Sequence, residues 1–549
     1  MRLDYTSDLW WKNAVVYCLD VETFSDSDGD GVGDFRGLID RIDHLRDLGV
    51  TCIWLMPFYP SPNRDDGYDI SDYYAVDPRL GTLGDFVELV RTARDRGMRV
   101  IVDLVVNHTS DEHPWFTESR SSVDAPRRDW YVWRPEPSDH PASLAFPDRE
   151  SSNWKRDRRT GEYYLHRFYR FQPDLNIASA AVRDEICKIA GFWLALGVSG
   201  FRMDAVPFLL ELDGIRQHFE GDPKHWLHSL REFVGRRNGE AMLLGEVNAH
   251  LKDLSSYFGG TAGDSLHMEF AFLMNQSLWL ALAREEAEPL EQMITALPIV
   301  PHDNAWATFL RNHDELTLDQ LTVTQQQEVF DAFGPKPGMQ LYGHGLRRRT
   351  ATMLGGDGPR LRMAWSLMMS LPGTPVMFMG DEIGMGEQLR IPDRYAVRVP
   401  MQWSAARNGG FSTARAGDLV RPMAGGAFGP AKVNVADQRR DRGSMLRFMQ
   451  RLLRVRRETP EIGWGSSELV ETGDPALFAH RVTWEDSVVI AIHNLAGRPA
   501  TTELDLGRDV TGVHDLLPDV EEPTRRGGRL PVELDAYGGR WLRLRRRGA

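Results

Sequence analysis

Gly200-Phe201-Arg202-Met203-Asp204 is a short, mostly apolar run that ends on a carboxylate. A strand buried on both faces of a parallel sheet has such a composition, and its polar end marks where the chain reaches a rim. Three further stretches repeat the pattern: Asp103-Leu104-Val105-Val106-Asn107-His108, Leu244-Gly245-Glu246, and Phe309-Leu310-Arg311-Asn312-His313-Asp314. Amphipathic segments separate such runs. Residues 35–48 carry Leu38, Ile39, Ile42, Leu45 and Leu48 at helical spacing, and residues 86–96 place Phe86, Leu89, Val90 and Ala93 on one face. Strands are expected at 15–24, 52–58, 100–106, 200–204, 242–246, 266–272, 308–312 and 376–380. Strands alternating with helices in that number predict an α/β fold, a closed (β/α)8 TIM barrel.

Two segments break the alternation. Residues 107–177 are long, polar and rich in Pro, Trp and Tyr, and follow the third strand, so an inserted subdomain is expected there. From 463 to 549 short alternating runs separated by turns predict a C-terminal antiparallel β-sandwich. The barrel then comprises 1–106 and 178–462.

The chain has 549 residues, 42% hydrophobic and 26% charged, with net charge −14. That balance supplies a large core and disfavours nucleic acid or anionic membrane as a partner. The basic stretch 540–547 alternates with Trp541, Leu542 and Leu544, and predicts a last edge strand with Leu542 and Leu544 inward rather than a nucleic-acid tail. Cys18, Cys52 and Cys187 fit neither a zinc site nor a disulfide framework and are expected as reduced thiols. Residues 1–8 hold no apolar signal core, and no run is long enough for a bilayer span, so a cytoplasmic location is expected.

The strand ends carry the chemistry. Residues i and i+2 of a strand share a face, so Arg202 is placed to hold Asp204 ionised, as a carboxylate nucleophile requires. Glu246 ends an apolar run beside that charge, and both effects raise its pKa toward the range of a general acid. Two such carboxylates cleave a glycosidic bond, one as nucleophile and one as acid. Asp314 is a third, suited to gripping sugar hydroxyls as the ring flattens. His108 and His313 are candidate donors to sugar hydroxyls. Asp26, Asp28, Asp30 and Asp34, with the Val32 carbonyl, are spaced two apart as in an oxygen-ligand loop, which points to structural calcium; the bidentate Glu of an EF-hand is missing because Gly37 stands at its place. No organic cofactor is called for.

These motifs together resemble the α-amylase family of retaining glycoside hydrolases and transglycosylases, and the resemblance runs over almost the whole chain. It implies that Asp204 is nucleophile, Glu246 acid/base and Asp314 transition-state stabiliser, with His108, Arg202 and His313 binding the glucosyl unit and Asp103 supporting them. Asp65-Asp66-Gly67-Tyr68-Asp69 is similar to the family's loop after the second strand. Tyr68 would stack under the sugar, and Asp69 would pair with Arg398 to close the non-reducing end, which implies an exo-acting enzyme. The family often holds calcium at the Asp26–Asp34 loop. A second calcium is implied at Asn107, Asp174, the carbonyls of Phe208 and Leu209, and Glu211.

Within the family, Gln172-Pro-Asp-Leu-Asn, Asp204-Ala-Val-Pro-Phe, Phe309 to Leu318, and Pro392-Asp-Arg394 with Arg398-Val-Pro-Met-Gln-Trp look most like the trehalose synthases. These interconvert maltose and trehalose, so the implied substrate is a small α-glucoside of that kind. An exo-acting α-glucosidase or a transglucosidase with another acceptor would use the same carboxylates. A non-catalytic binding barrel would lack them. The chain departs from the trehalose-synthase pattern in three places, all near the expected acceptor sugar. It has Glu246-Val-Asn-Ala249 for Glu-Ala-Asn-Gln, Phe272-Leu-Met-Asn-Gln276 for Phe-Pro-Val-Met-Pro, and Leu318-Asp319 for Leu-Glu.

Overall fold

Eight parallel strands close into a barrel in a computed structural model that describes residues 9–137, 144–146, 148–211, 222–507, 509–517 and 528–546. They are β1 Val16–Leu19, β2 Cys52–Leu55, β3 Arg99–Leu104, β4 Gly200–Met203, β5 Met242–Gly245, β6 Met268–Phe270, β7 Ala305–Thr308 and β8 Thr374–Phe378. Each pairs with its neighbours in sequence, and β1 closes on β8 through Val16 opposite Val376. The strands are nearly wholly buried, which explains their unbroken apolar runs. The residues read for a signal core, 1–8, and Arg547 of the basic stretch lie outside the described residues.

Local chemistry sets the boundaries. The first helix spans Phe35–Leu48; Asp34 caps it by accepting from Gly37 N–H at 2.7 Å, and Gly49 ends it at φ 105°, a conformation that glycine adopts without strain. The first strand is shorter than expected, because Asp20 accepts from Glu22 N–H at 3.0 Å and starts a helical turn at Val21–Phe24. The seventh strand lies earlier than expected. Ala305–Thr308 pairs with β6 and β8, so Asn312, His313 and Asp314 sit on the loop beyond the strand end.

The segment after β3 carries a small antiparallel sheet, Trp133–Arg134, Tyr163–Leu165 and Trp154–Arg156, packed through Phe116, Trp133 and Tyr164. The C-terminal part holds β9 Ser466–Leu469, β10 Leu477–Trp484, β11 Ser487–Asn494, β12 Ala500–Asp505, β13 Val510–Asp515, β14 Arg529–Leu534 and β15 Gly539–Arg546. Their order is β9-β10-β11-β15-β13, with β12-β14 packed against that sheet over Leu477, Ile490, Leu504, Leu530 and Leu542. β15 is therefore an interior strand, not the edge expected from its arginines. Leu542 and Leu544 do face inward, and Arg543 is stabilised by Glu461 at 3.0 Å. Cys18 and Cys52 are buried and Cys187 is partly so, all three as free thiols. Among the described residues no helix is long and apolar enough to cross a membrane.

Candidate active site

One buried guanidinium organises the barrel rim. Arg202 is 1% exposed. Its Nη1 donates to Asp103 Oδ1 at 2.7 Å and to Asp204 Oδ1 at 2.5 Å, and its Nη2 lies 2.9 Å from Glu246 Oε2. Trp54 Nε1 donates to the other Asp103 oxygen at 2.8 Å. Three strand ends, β3, β4 and β5, thus deliver three carboxylates to one cation. Ala205 adopts φ 51°, a strained value for a residue with a Cβ, and its N–H donates to Glu246 Oε2 at 2.9 Å.

Burial pushes Glu246 up to about 7, opposed by Arg202 and reinforced by Asp204 and Asp314. Burial likewise raises Asp204, to about 6, with Arg202 opposing and Asp103 and Asp314 adding. Arg202 therefore restrains the rise at Asp204 without cancelling it, because its single charge is shared among three carboxylates. Asp314 behaves oppositely. Burial alone would raise it, but His313, Arg394 and Arg398 outweigh that and hold it well below the usual carboxylate range.

Asp314 Oδ1 accepts from Arg394 Nη1 and from Arg398 Nη2, each at 2.7 Å, and its Oδ2 lies 3.0 Å from His313 Nε2. The Tyr68 hydroxyl meets the same His313 nitrogen at 2.6 Å, with the two rings nearly parallel. Burial drives His313 down to about 4 and His108 to about 3, so both rings are neutral near pH 7. His108 Nε2 lies 3.1 Å from the Tyr68 carbonyl and its Nδ1 3.2 Å from the Asn107 amide. That pairing makes Nε2 the protonated nitrogen.

The expected pairing of Asp69 with Arg398 does not form. Arg398 Nη1 instead donates to Asp66 Oδ2 at 2.6 Å, and Asp66 also pairs with Arg421. Asp66 is in the left-handed region at φ 56° and Gly67 at φ 87°, and the tight turn they make sends the Asp66 side chain back toward Arg398. A Cβ on Gly67 would meet the Pro57 carbonyl oxygen at 2.8 Å. Asp69 is buried within its own loop, where its oxygens accept from Ser61 Oγ at 2.9 Å and Asp65 N–H at 3.0 Å. Arg394 was missed. It links Asp314 to Asp65, from Nη2 to Oδ1 at 2.9 Å, and its place four residues before Arg398 was the available signal.

The Asp26–Asp34 loop brings oxygens of Asp26, Asp28 and Asp34 within 4.8 Å of one another. This donor set, all carboxylate oxygens, fits a hard cation. Asp30 is not part of this cluster; all four carboxylates also accept from backbone N–H groups of the loop, Asp30 Oδ1 from Val32 at 2.7 Å and Asp26 Oδ2 from Gly31 at 2.9 Å among them. The second calcium set does not fit a cation as its residues stand. Asp174 and Glu211 flank the Arg167 guanidinium, which lies 3.4 Å from Glu211 Oε2 and 3.8 Å from Asp174 Oδ2, and Asn107 Nδ2 donates to Asp174 Oδ1 at 3.5 Å. The Phe208 carbonyl accepts from Glu211 N–H at 3.2 Å. A buried guanidinium and a calcium ion compete for the same carboxylates.

Above Glu246 and Asp314 opens a cavity of about 360 Å³, walled by Phe146, Phe168 and Phe208 on one side and by Asn248, Thr317 and Asp319 on another. A buried carboxylate, a second carboxyl of raised pKa on the same guanidinium and a cavity of mixed aromatic and polar lining above them are the parts that a glycoside-cleaving or glycosyl-transferring enzyme needs.

The chain belongs to the α-amylase family: the catalytic-domain model of that family matches residues 20–332 and 338–465, and a sucrose hydrolase-like C-terminal domain matches 487–543. It is 41% identical to the trehalose synthase/amylase TreS of Mycobacterium tuberculosis, covering 97% of this chain and 90% of that protein. It is 31% identical to an oligo-1,6-glucosidase of Halalkalibacterium halodurans over 90% of this chain and 91% of the other. Among solved structures, the trehalulose synthase MutB of Pseudomonas mesoacidophila superposes with a TM-score of 0.80 at 26% identity, over 98% of this chain and 99% of that one.

Proposed function

We propose that this enzyme interconverts maltose and trehalose by moving one glucosyl unit inside a closed site. Asp204 attacks the anomeric carbon, the bond from that carbon to the leaving oxygen breaks, and Glu246 gives that oxygen its proton. The freed glucose turns, and its own anomeric hydroxyl attacks the glucosyl-enzyme. Its proton passes to Glu246, and the ester bond to Asp204 breaks. Asp314, paired with Arg394 and Arg398, stays ionised and holds sugar hydroxyls most tightly in the flattened transition state. The Asp65–Arg394 and Asp66–Arg398 pairs wall the non-reducing end, so one glucosyl unit fits. The observation that carries the chemistry is one guanidinium, that of Arg202, within 2.9 Å of both Asp204 and Glu246. The choice of sugars rests on likeness to the trehalose synthases over nearly the full chain.

A second reading, an exo-acting α-glucosidase, is favoured by the changed residues of the acceptor side and by the glucosidases among its relatives. Proton NMR of the purified enzyme with maltose separates the two. Trehalose rising ahead of free glucose is the expected result; glucose alone overturns the interconversion.

Calcium would be held by Asp26, Asp28 and Asp34 and would act on stability, because Asp34 also caps the first helix. A ligand bound a hundredfold above its dissociation constant adds about 2.7 kcal/mol to the folded state. Chelation is therefore expected to lower Tm by roughly 2 °C or more. An unchanged Tm, with no metal in elemental analysis, removes the site.

A further inference from the structure

Two departures from the trehalose-synthase pattern, Gln276 and Asp319, meet each other and Asn248, which the pattern shares. Asn248 follows β5, Gln276 lies in the helix Phe272–Arg284 after β6, and Asp319 stands on the loop after β7. Asn248 Nδ2 donates to Asp319 Oδ2 at 2.8 Å, and Gln276 Nε2 donates to Asp319 Oδ1 at 3.1 Å. The other end of the same amide, Gln276 Oε1, accepts from Gln320 N–H at 3.0 Å. Asp319 and Asn248 line the cavity over Glu246, whereas Gln276 is 1% exposed and lies behind them.

The arrangement has a direction. A glutamine buried in a helix uses both ends of its amide on two consecutive residues of a facing loop, so the loop is fixed in position and in orientation. Each Asp319 oxygen spends one lone pair on an amide and keeps another, and Asp319 itself is exposed at the cavity wall. Donation to a charged acceptor is stronger than between neutral groups, so the carboxylate is held rather than left to sample rotamers. A carboxylate so held accepts a hydroxyl of whatever sugar sits over Glu246, at low ordering cost.

We propose that Gln276 is the positioning residue of the acceptor side: through Asp319 it orients the freed sugar, and so sets how the glucosyl-enzyme divides between a sugar acceptor and water. The inference rests on the transfer chemistry proposed above. Gln276 touches no substrate and acts only through its neighbour, so its loss is felt after the first bond has broken.

The test is a comparison of two half-reactions in Gln276→Met and Gln276→Glu. Methionine keeps the length and removes both hydrogen-bonding ends. Glutamate keeps an acceptor for Gln320 N–H but sets a negative charge against Asp319. Formation of the glucosyl-enzyme is read from kcat/KM on an aryl α-glucoside, and its fate from the ratio of trehalose to free glucose formed from maltose. In both variants kcat/KM is expected to stay within about twofold while the disaccharide share falls about tenfold. In an Asp319→Ala background, Gln276→Met is expected to change the ratio no further. An unchanged ratio, or both readouts falling together as for a merely structural residue, overturns the proposal. If the wild type makes no trehalose from maltose, the interconversion falls, and the role of Gln276 is then decided by the ratio of disaccharide to glucose formed with ¹³C-glucose as an added acceptor.

Discussion

Replacing Asp204 with alanine is expected to lower turnover of every α-glucoside by about 10⁴-fold or more, with the protein still folded. The first expectation follows from chemistry: without that carboxylate no group on the described rim can form the covalent intermediate from the same face. Arg202 then keeps Asp103 and Glu246 as partners, so the guanidinium is not orphaned and three carboxylates no longer crowd one cation. Loss of the Asp204 charge also removes one of the influences that raise Glu246, so its pKa falls. A small anion such as azide fits the volume vacated by the side chain and attacks from the side that Asp204 held. The product expected from an activated α-glucoside is then the β-glucosyl azide, of inverted configuration, with turnover partly restored. Near-wild-type activity in Asp204→Ala, or an α-configured azide adduct, would sink the assignment.

What the sequence made legible is local. Buried strands announce themselves by apolar runs with polar ends, because the rim is where a barrel strand meets solvent and substrate. Asp204 and Glu246 follow β4 and β5 directly, so pattern and chemistry coincide there. The first helix was equally legible, since its period, its Asp34 cap and its Gly49 stop agree. Asp314 was found by its neighbours in sequence, although it stands six residues beyond the last residue of β7 rather than at a strand end. What stayed hidden depends on distant partners. Nothing local tells Asp66 from Asp69 as the partner of Arg398; a left-handed turn at Asp66-Gly67 decides it, across more than 300 positions. The arginines of β15 read as an edge, but strand order in an antiparallel sheet is set by pairing with β11 and β13. Gln276 and Asp319 looked unrelated in sequence, and their meeting beside Asn248 exists only because β5, β6 and β7 are neighbours around the barrel.

Glu246→Gln is expected to slow turnover of maltose by about 10²–10⁴-fold and to change the shape of the pH profile rather than merely its height. In the wild type the working state needs Asp204 ionised and Glu246 protonated. With Asp204 raised to about 6 and Glu246 to about 7, activity falls as pH drops through the lower value and again as pH climbs through the upper. The two groups interact, so the limbs belong to the pair rather than to either residue. A glutamine at 246 can still accept the Ala205 N–H that Glu246 now receives at 2.9 Å, so the strand end keeps its place. It has no proton to lose, so the alkaline limb disappears while the acid limb remains. The loss should depend on the leaving group. A glucose alkoxide needs the proton and suffers fully, whereas an acidic phenol leaves without help, so kcat/KM on an activated aryl glucoside should stay within about tenfold. The second half still needs a base. The glucosyl-enzyme should therefore accumulate on Asp204 and be seen by mass spectrometry as the protein plus one glucosyl unit. An alkaline limb that persists unchanged in Glu246→Gln would mean that another group delivers the proton, and the pairing of Asp204 and Glu246 through Arg202 would then be structural.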